Sequence, residues 1–321
     1  MAGLAAYRLY SRAGRAAPTS PTDHMSSAET PPTLDPAALA RWQARAPAAS
    51  PWLHEEVGRR MQERLAWMAR APQTWCDWEP VRGGMQTHDL IVQRYPKSSC
   101  WIVQQQPEQQ RVAAQRWRPP RWARWAGRAA VHLQEPALQS LDMLWANMAL
   151  HQQAQPPAVL RRWAQWLKPD GMVLFSCLGP DTLRQLRSLY QQLGWPPPAQ
   201  QFTDMHDLGD MLVANGFAEP VMDMECIELQ YTSTERLLQE LRELGRNLHP
   251  QRFAALRGRQ WLAQWHQALQ SLADAQGRIG LTFEIVYGHA IKAAPAMPVA
   301  AQTHISLADM RQSLQKHRRE T

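Results

Sequence analysis

An α/β protein built on a parallel sheet is the fold this sequence predicts, and three observations in its middle third predict it. Residues 142–151, Asp-Met-Leu-Trp-Ala-Asn-Met-Ala-Leu-His, read as a buried strand running into a loop. An amphipathic segment at 159–167 follows, with Leu160, Trp163 and Leu167 on one face. The turn Lys168-Pro169-Asp170-Gly171 then delivers a second apolar strand, 172–178, and Gly179-Pro180-Asp181 opens another helix. Two strands joined through a helix pair in parallel, and such sheets hold their ligand past the carboxyl ends of the strands. Residues 147–151 and 178–181 are therefore predicted to line any site.

The flanking elements follow from the same rules. Ser50-Pro51 starts a helix whose stripe is Leu53, Val57, Met61, Leu65 and Met68. A first strand at 74–78 leads into the loop Glu79-Pro80-Val81-Arg82-Gly83-Gly84 and a helix at 86–94. A second strand at 100–103 ends in Gln104-Gln105-Gln106, and a third is expected at 130–133. After residue 181, Leu183, Leu186, Leu189 and Tyr190 form an apolar helical face ended by Gly194, and 196–198 is a linker. A helix at 204–215 stops before Gly216, the position that favours glycine, and 221–231 reads as a strand. Thr232 and Glu235 form a capping box for a helix at 234–244, and a longer helix is expected at 251–275. Residues 278–292 alternate Ile279, Leu281, Phe283, Ile285 and Tyr287 with a second face, which predicts a closing strand.

Composition narrows the classes. The chain has 321 residues, 45% of them hydrophobic, and no apolar run of the roughly 18–20 residues that cross a bilayer. Its four cysteines are far apart, which argues against a zinc site or a disulfide framework and for a reducing, cytoplasmic setting. Residues 1–22 contain Arg8, Arg12 and Arg15 without an acid, the composition of a transit peptide, a tail, or a chain whose start is Met25. Residues 1–48 are expected to be disordered apart from a short helix at 36–45. The ordered domain is expected at 49–293, with 294–321 a linker and a short basic helix at 307–318. The charge of +7 is uneven: no acid falls between Glu108 and Glu135, where Arg111, Arg116, Arg118, Arg121, Arg124 and Arg128 alternate with Trp117, Trp122 and Trp125. That stripe reads as a surface whose tryptophans pack down, then as a dock for an acidic protein. Nucleic acid ranks last, because no binding motif accompanies the charge.

Three blocks carry a family resemblance: Ser50-Pro-Trp-Leu-His-Glu-Glu-Val-Gly-Arg-Arg-Met-Gln-Glu-Arg-Leu65, Leu174-Phe-Ser-Cys-Leu-Gly-Pro-Asp-Thr-Leu-Arg184, and Phe202-Thr-Asp-Met-His-Asp-Leu-Gly-Asp-Met-Leu212 with Glu219-Pro-Val-Met222. Together with residues 283–293 they resemble the class I S-adenosylmethionine-dependent methyltransferases, and among these the malonyl-acyl-carrier-protein O-methyltransferases of biotin biosynthesis. The resemblance implies a Rossmann-like, seven-stranded, mostly parallel sheet and a helical cap at about 183–265. It implies S-adenosylmethionine as cofactor, held by Asp77, Glu79, Gly83, Gly84, Gln104, Asp142 and Asn147. It also implies an acyl carrier protein bearing a malonyl-type chain as partner. The chain is expected to act as a monomer. Methyl transfer to a carboxylate needs orientation more than proton transfer, so the catalytic candidates are orienting groups: His151, Arg184, His206 and Arg246, with Arg242 and Asn247 beside them.

Three positions depart from the family pattern. Only Gly83 and Gly84 remain of a glycine-rich loop, Gln104 replaces the acid that meets the ribose hydroxyls, and no acid near the third strand stands out among residues 111–128. These departures raise a second expectation, a non-catalytic relative that keeps an acyl or carrier-protein surface or a regulatory role.

Overall fold

The computed structural model describes residues 34–67, 71–118 and 129–294. The first 33 residues, Met68, Arg121, Arg124, Arg128, Trp122, Trp125 and the expected helix at 307–318 lie outside the described residues.

The described residues form one seven-stranded sheet in the order β3-β2-β1-β4-β5-β7-β6. Its strands are β1 (Thr74–Trp78), β2 (Ser99–Val103), β3 (Val131–His132), β4 (Leu141–Ala146), β5 (Leu167–Leu178), β6 (Phe217–Tyr231) and β7 (Ile279–Lys292). The first five pair in parallel, and β7 lies antiparallel between β5 and β6. Both faces are buried, so neighbouring residues serve different cores. Trp75, Met143, Trp145 and Ile285 belong to one cluster, and Cys76, Leu144, Phe175 and Val286 to the other. Continuous apolar strands follow from that double burial.

The helices are α1 (Pro36–Arg45), α2 (Trp52–Glu63), the single turn α3 (Pro80–Gly83), α4 (Met85–Arg94), α5 (Pro107–Trp117) and α6 (Pro156–Trp166). Then come α7 (Arg184–Gln192), α8 (Met205–Ala214), α9 (Thr234–Leu244) and α10 (Arg259–Gln270). Helix α2 buries the predicted stripe, Leu53, Val57 and Met61. Ser50 does not cap α2, however; its hydroxyl accepts the Met85 N–H at the start of α4. The cap of α9 is Ser233, whose side chain accepts the Arg236 N–H, and the Thr232 box does not form. The expected long helix is only α10, because 251–258 lacks an apolar stripe and Leu256 is fully exposed.

Helices α7, α9 and α10 stand over the carboxyl edge through Leu186, Tyr190, Leu237 and Trp265. Helix α8 lies outside this cap: Leu208 and Leu212 pack with Trp163 against the opposite sheet face.

One expectation is corrected by the fold. Residues 34–48 are ordered: Asp35 caps α1, its own N–H bonds Leu248 O at 2.8 Å, and its carboxylate pairs with Arg252. Leu34, Leu39 and Trp42 form a small core with Leu248, and Trp42 Nε1 donates to Gln152 Oε1 at 2.9 Å. The Pro/Ala-rich composition hid three anchors whose partners are distant in the chain. Removing residues 1–48 should therefore lower the melting temperature by roughly 5 °C or more, given the apolar area uncovered; an unchanged thermal scan would place α1 off the core.

A second expectation concerns Asp142. It sits at the amino end of β4, where it accepts the Gln73 and Thr74 N–H groups at 2.8 and 2.9 Å and pairs with Lys168 at 2.6 Å. A parallel sheet carries its site at the other edge, and Asp142 here ties strand starts together.

Candidate functional site

At the carboxyl edge, the loop after β1 makes a sharp entry into α3. Glu79 adopts φ 58°, ψ 45°, the left-handed region that suits glycine, and Gly84 has φ 152°. A Cβ on Gly83 would come within 2.7 Å of the Asn147 carbonyl oxygen, so only glycine lets this loop rest on the end of β4.

Asn147 fastens that contact. Its Nδ2 donates to the carbonyls of His54 (2.7 Å) and Gly83, and its Oδ1 accepts the Ser176 hydroxyl at 2.7 Å. Ser176 Oγ in turn accepts the Met148 N–H. One buried amide therefore joins α2, the Gly83 loop, β4 and β5.

His54 and Arg82 complete the floor. His54 Nδ1 donates to Arg82 O at 2.8 Å, leaving Nε2 as an acceptor. Burial, reinforced by the Arg82 charge, holds the His54 imidazole well below its usual range. The same causes push His151 down to about 3, so both rings are neutral at physiological pH. His151 accepts the Leu178 N–H on Nδ1, and its ring meets His54 edge-on at 6.5 Å. Arg82 donates to the carbonyls of Ala49, Glu243 and Leu244, and Trp42 lies against both Arg82 and Arg246. Those bonds tie the cap and α1 to the glycine loop.

Two cavities meet across this floor. One, about 240 Å³, lies under the cap, with Leu183, Leu186, Tyr190, Trp261, Trp265 and Phe283 as apolar walls. The other, about 40 Å³, touches Glu79, Arg82, Gly83, Met148 and Ala149. Trp42, His54 and Gln152 border both. A third cleft, about 400 Å³, lies at the carboxyl ends of β2 and β3 and includes Gln104, Gln110, Leu133 and Glu135.

The predicted residues divide between the edge and elsewhere. Glu79, Gly83, Gln104, Asn147 and His151 gather there, Gly84 stands at the foot of α4, and Arg246 and Arg242 border the chamber under the cap. Asp77 is buried on the α4 side of the sheet, where its carboxylate meets His88 Nδ1 at 2.8 Å. Arg184 pairs with Asp181 outside the chamber, and His206 is exposed on Asp204 at the start of α8. Neither borders the cavity, and each side chain serves its own helix start.

Five residues of the site escaped sequence reasoning. His54 interrupts the apolar stripe of α2, and a polar residue next to Leu53 and Val57 on a buried helix face is the signal that marks it. Trp42, Arg82 and Gln152 carry no such mark. Glu135, three residues past β3, borders the third cleft and pairs with Arg162.

Whether the edge suits a nucleoside sulfonium cofactor turns on Gln104. Both its side-chain Oε1 and Nε2 are buried and without a partner, at the end of β2 beside the third cleft. An amide left unsatisfied in this way costs free energy unless a ligand bonds it, and a donor–acceptor pair matches vicinal hydroxyls. The residues fit the group at the ribose end. At the methionine end the fit is narrower, since Arg82 and Trp42 border a space of only about 40 Å³.

A family model described as a methyltransferase domain matches residues 83–175. A malonyl-[acyl-carrier protein] O-methyltransferase of Gallionella capsiferriformans is 34% identical over 263 residues, 77% of this chain and 86% of that relative. The protein of the same name from Laribacter hongkongensis is 35% identical over 246 residues, 74% of this chain and 82% of the relative. Among solved structures, the YcgJ protein of Bacillus subtilis matches with a TM-score of 0.46 at 18% identity, over 75% of this chain and 100% of that one. Sheet order, glycine loop and near full-length relatives agree, and the chain belongs to the malonyl-[acyl-carrier protein] O-methyltransferase family of class I methyltransferases.

Proposed function

We propose that this protein transfers a methyl group from S-adenosylmethionine to the free carboxylate of a malonyl chain carried on an acyl carrier protein. The observation that carries the reading is the apolar chamber of about 240 Å³ that shares Trp42, His54 and Gln152 with the glycine-loop cavity. The Glu79–Gly84 loop, the Gln104 amide and the Asn147 backbone would hold the cofactor. When bound, it supplies an electrophilic methyl group on a sulfonium.

The remaining work is positioning. An acceptor carboxylate is already a nucleophile at neutral pH, so no general base is required. The neutral His54 and His151 rings orient it without a competing ion pair, and the tryptophan and leucine walls exclude water that would solvate it. Family membership disfavours the non-catalytic alternative. A monomer in a reducing compartment suits the buried free thiols of Cys76, Cys100 and Cys177.

The test is transfer of labelled methyl from S-adenosylmethionine to malonyl-carrier protein, scored as a base-labile ester, alongside calorimetric titration of the donor. His151→Ala should lower kcat by about tenfold or more, with donor binding within about twofold of wild type. Absence of both transfer and donor binding in the wild-type protein would overturn the proposal.

A further inference from the structure

The outer face of α1 and the end of α9 form a second feature, outside the chamber. A depression of about 410 Å³ is lined by Arg41, Arg45, Arg246, Arg252, Trp42 and Asn247. Arg252 is neutralised by Asp35. Arg246 donates only to backbone carbonyls, those of Arg242 and Gly245, and Arg41 donates to Ala37 O. Among the described residues, no carboxylate pairs with Arg41, Arg45, Arg242 or Arg246. The nearby Glu243 accepts from Gln239. Arg246 and Arg242 repel one another, and Arg246 also acts on Arg82. Cations gathered this way destabilise one another unless an anion joins them.

The depression is continuous with the chamber, since Trp42, Arg246 and Asn247 border both. Among the described residues of the other basic stretch, Arg116 pairs with Asp89, Arg111 with Glu108, and Trp117 Nε1 donates to Asp89. We infer that the Arg41–Arg45–Arg242–Arg246 face is where the carrier protein docks, with the phosphodiester of its prosthetic arm on the guanidinium groups and the arm passing Trp42 into the chamber. Guanidinium forks match phosphate oxygens in pairs, and a basic face beside the entrance steers an acidic partner. This inference rests on the proposed acceptor.

Binding of fluorescently labelled malonyl-carrier protein to the full chain, by anisotropy, tests it. The variants are Arg41→Glu with Arg45→Glu, and Arg246→Gln alone. The double variant should weaken carrier binding by about tenfold or more and flatten its salt dependence. Arg246→Gln should weaken the prosthetic-arm form more than the apo carrier, whose serine lacks the phosphate. Calorimetric donor affinity of the Arg41→Glu, Arg45→Glu variant should stay within about twofold of wild type. Equal carrier binding by wild type and double variant overturns the inference, as does an oligonucleotide that binds this face while the carrier does not. Carrier binding that depends on these arginines without any methyl transfer would leave the dock standing and remove the proposed reaction.

Discussion

Asn147→Asp should destabilise the protein by about 4 kcal/mol, roughly twice the loss expected of Asn147→Ala. The side chains are nearly the same size, so volume is not the cause. In the native site Nδ2 donates to two carbonyls, His54 O and Gly83 O, while Oδ1 accepts from Ser176. Alanine leaves those groups without this partner in a place that water does not reach. Aspartate goes further, setting a carboxylate oxygen against two carbonyl oxygens in a residue only 2% exposed. Urea midpoints at constant m-value measure the difference. Equal losses for the two variants would mean that the amide proton bonds contribute little and that Asn147 merely fills space.

The same residue shows how much of the molecule was legible. Asn147 and Gly83 could be placed at one edge from sequence, because a strand, a helix and a turn such as Lys168-Pro169-Asp170-Gly171 are written in adjacent residues. Asp170 indeed takes φ 63°, inside β5. Beyond local range the reading weakened. Trp42 is buried only because Leu248 and Gln152 come to it, and a Pro/Ala-rich setting gave no hint of either. Ser50 was read as a cap for its own helix but serves α4 across the fold. Asp142 and Asp77 are acids that sequence alone marks as candidate ligands; the sheet edge and face they occupy bring them to the strand starts and to His88. Polar residues acquire roles from partners distant in the chain, and periodicity cannot name those partners.

Glu79 gives the other large effect, and its sign is unusual. Burial pushes its carboxyl up to about 7, although the Gln105 N–H and the Arg82 charge both favour the ionised form. The folded protein therefore keeps the proton at pH values where the unfolded chain, with an ordinary value of 4.5, has lost it. Stability from this group is full below about 4.5 and declines as pH rises to about 7, by on the order of 3 kcal/mol. His151 runs the opposite way: with its folded value near 3, its contribution is present above about 6.5 and is lost on acidification. Wild-type stability alone would mix the two slopes. Subtracting the curve of Glu79→Gln isolates the first: the variant should match wild type in relative stability near pH 4.5 and gain steadily to pH 7. Glu79→Gly should gain about 1 kcal/mol more at every pH, by relieving the left-handed backbone at φ 58°. Ionised Glu79 also faces the cavity where a cationic donor would enter, so donor affinity should rise between pH 6 and 8 in wild type and stay level in Glu79→Gln. A difference curve without slope between 4.5 and 7 would put the Glu79 carboxyl in water, and with it the closed floor that joins the glycine loop to the chamber would open.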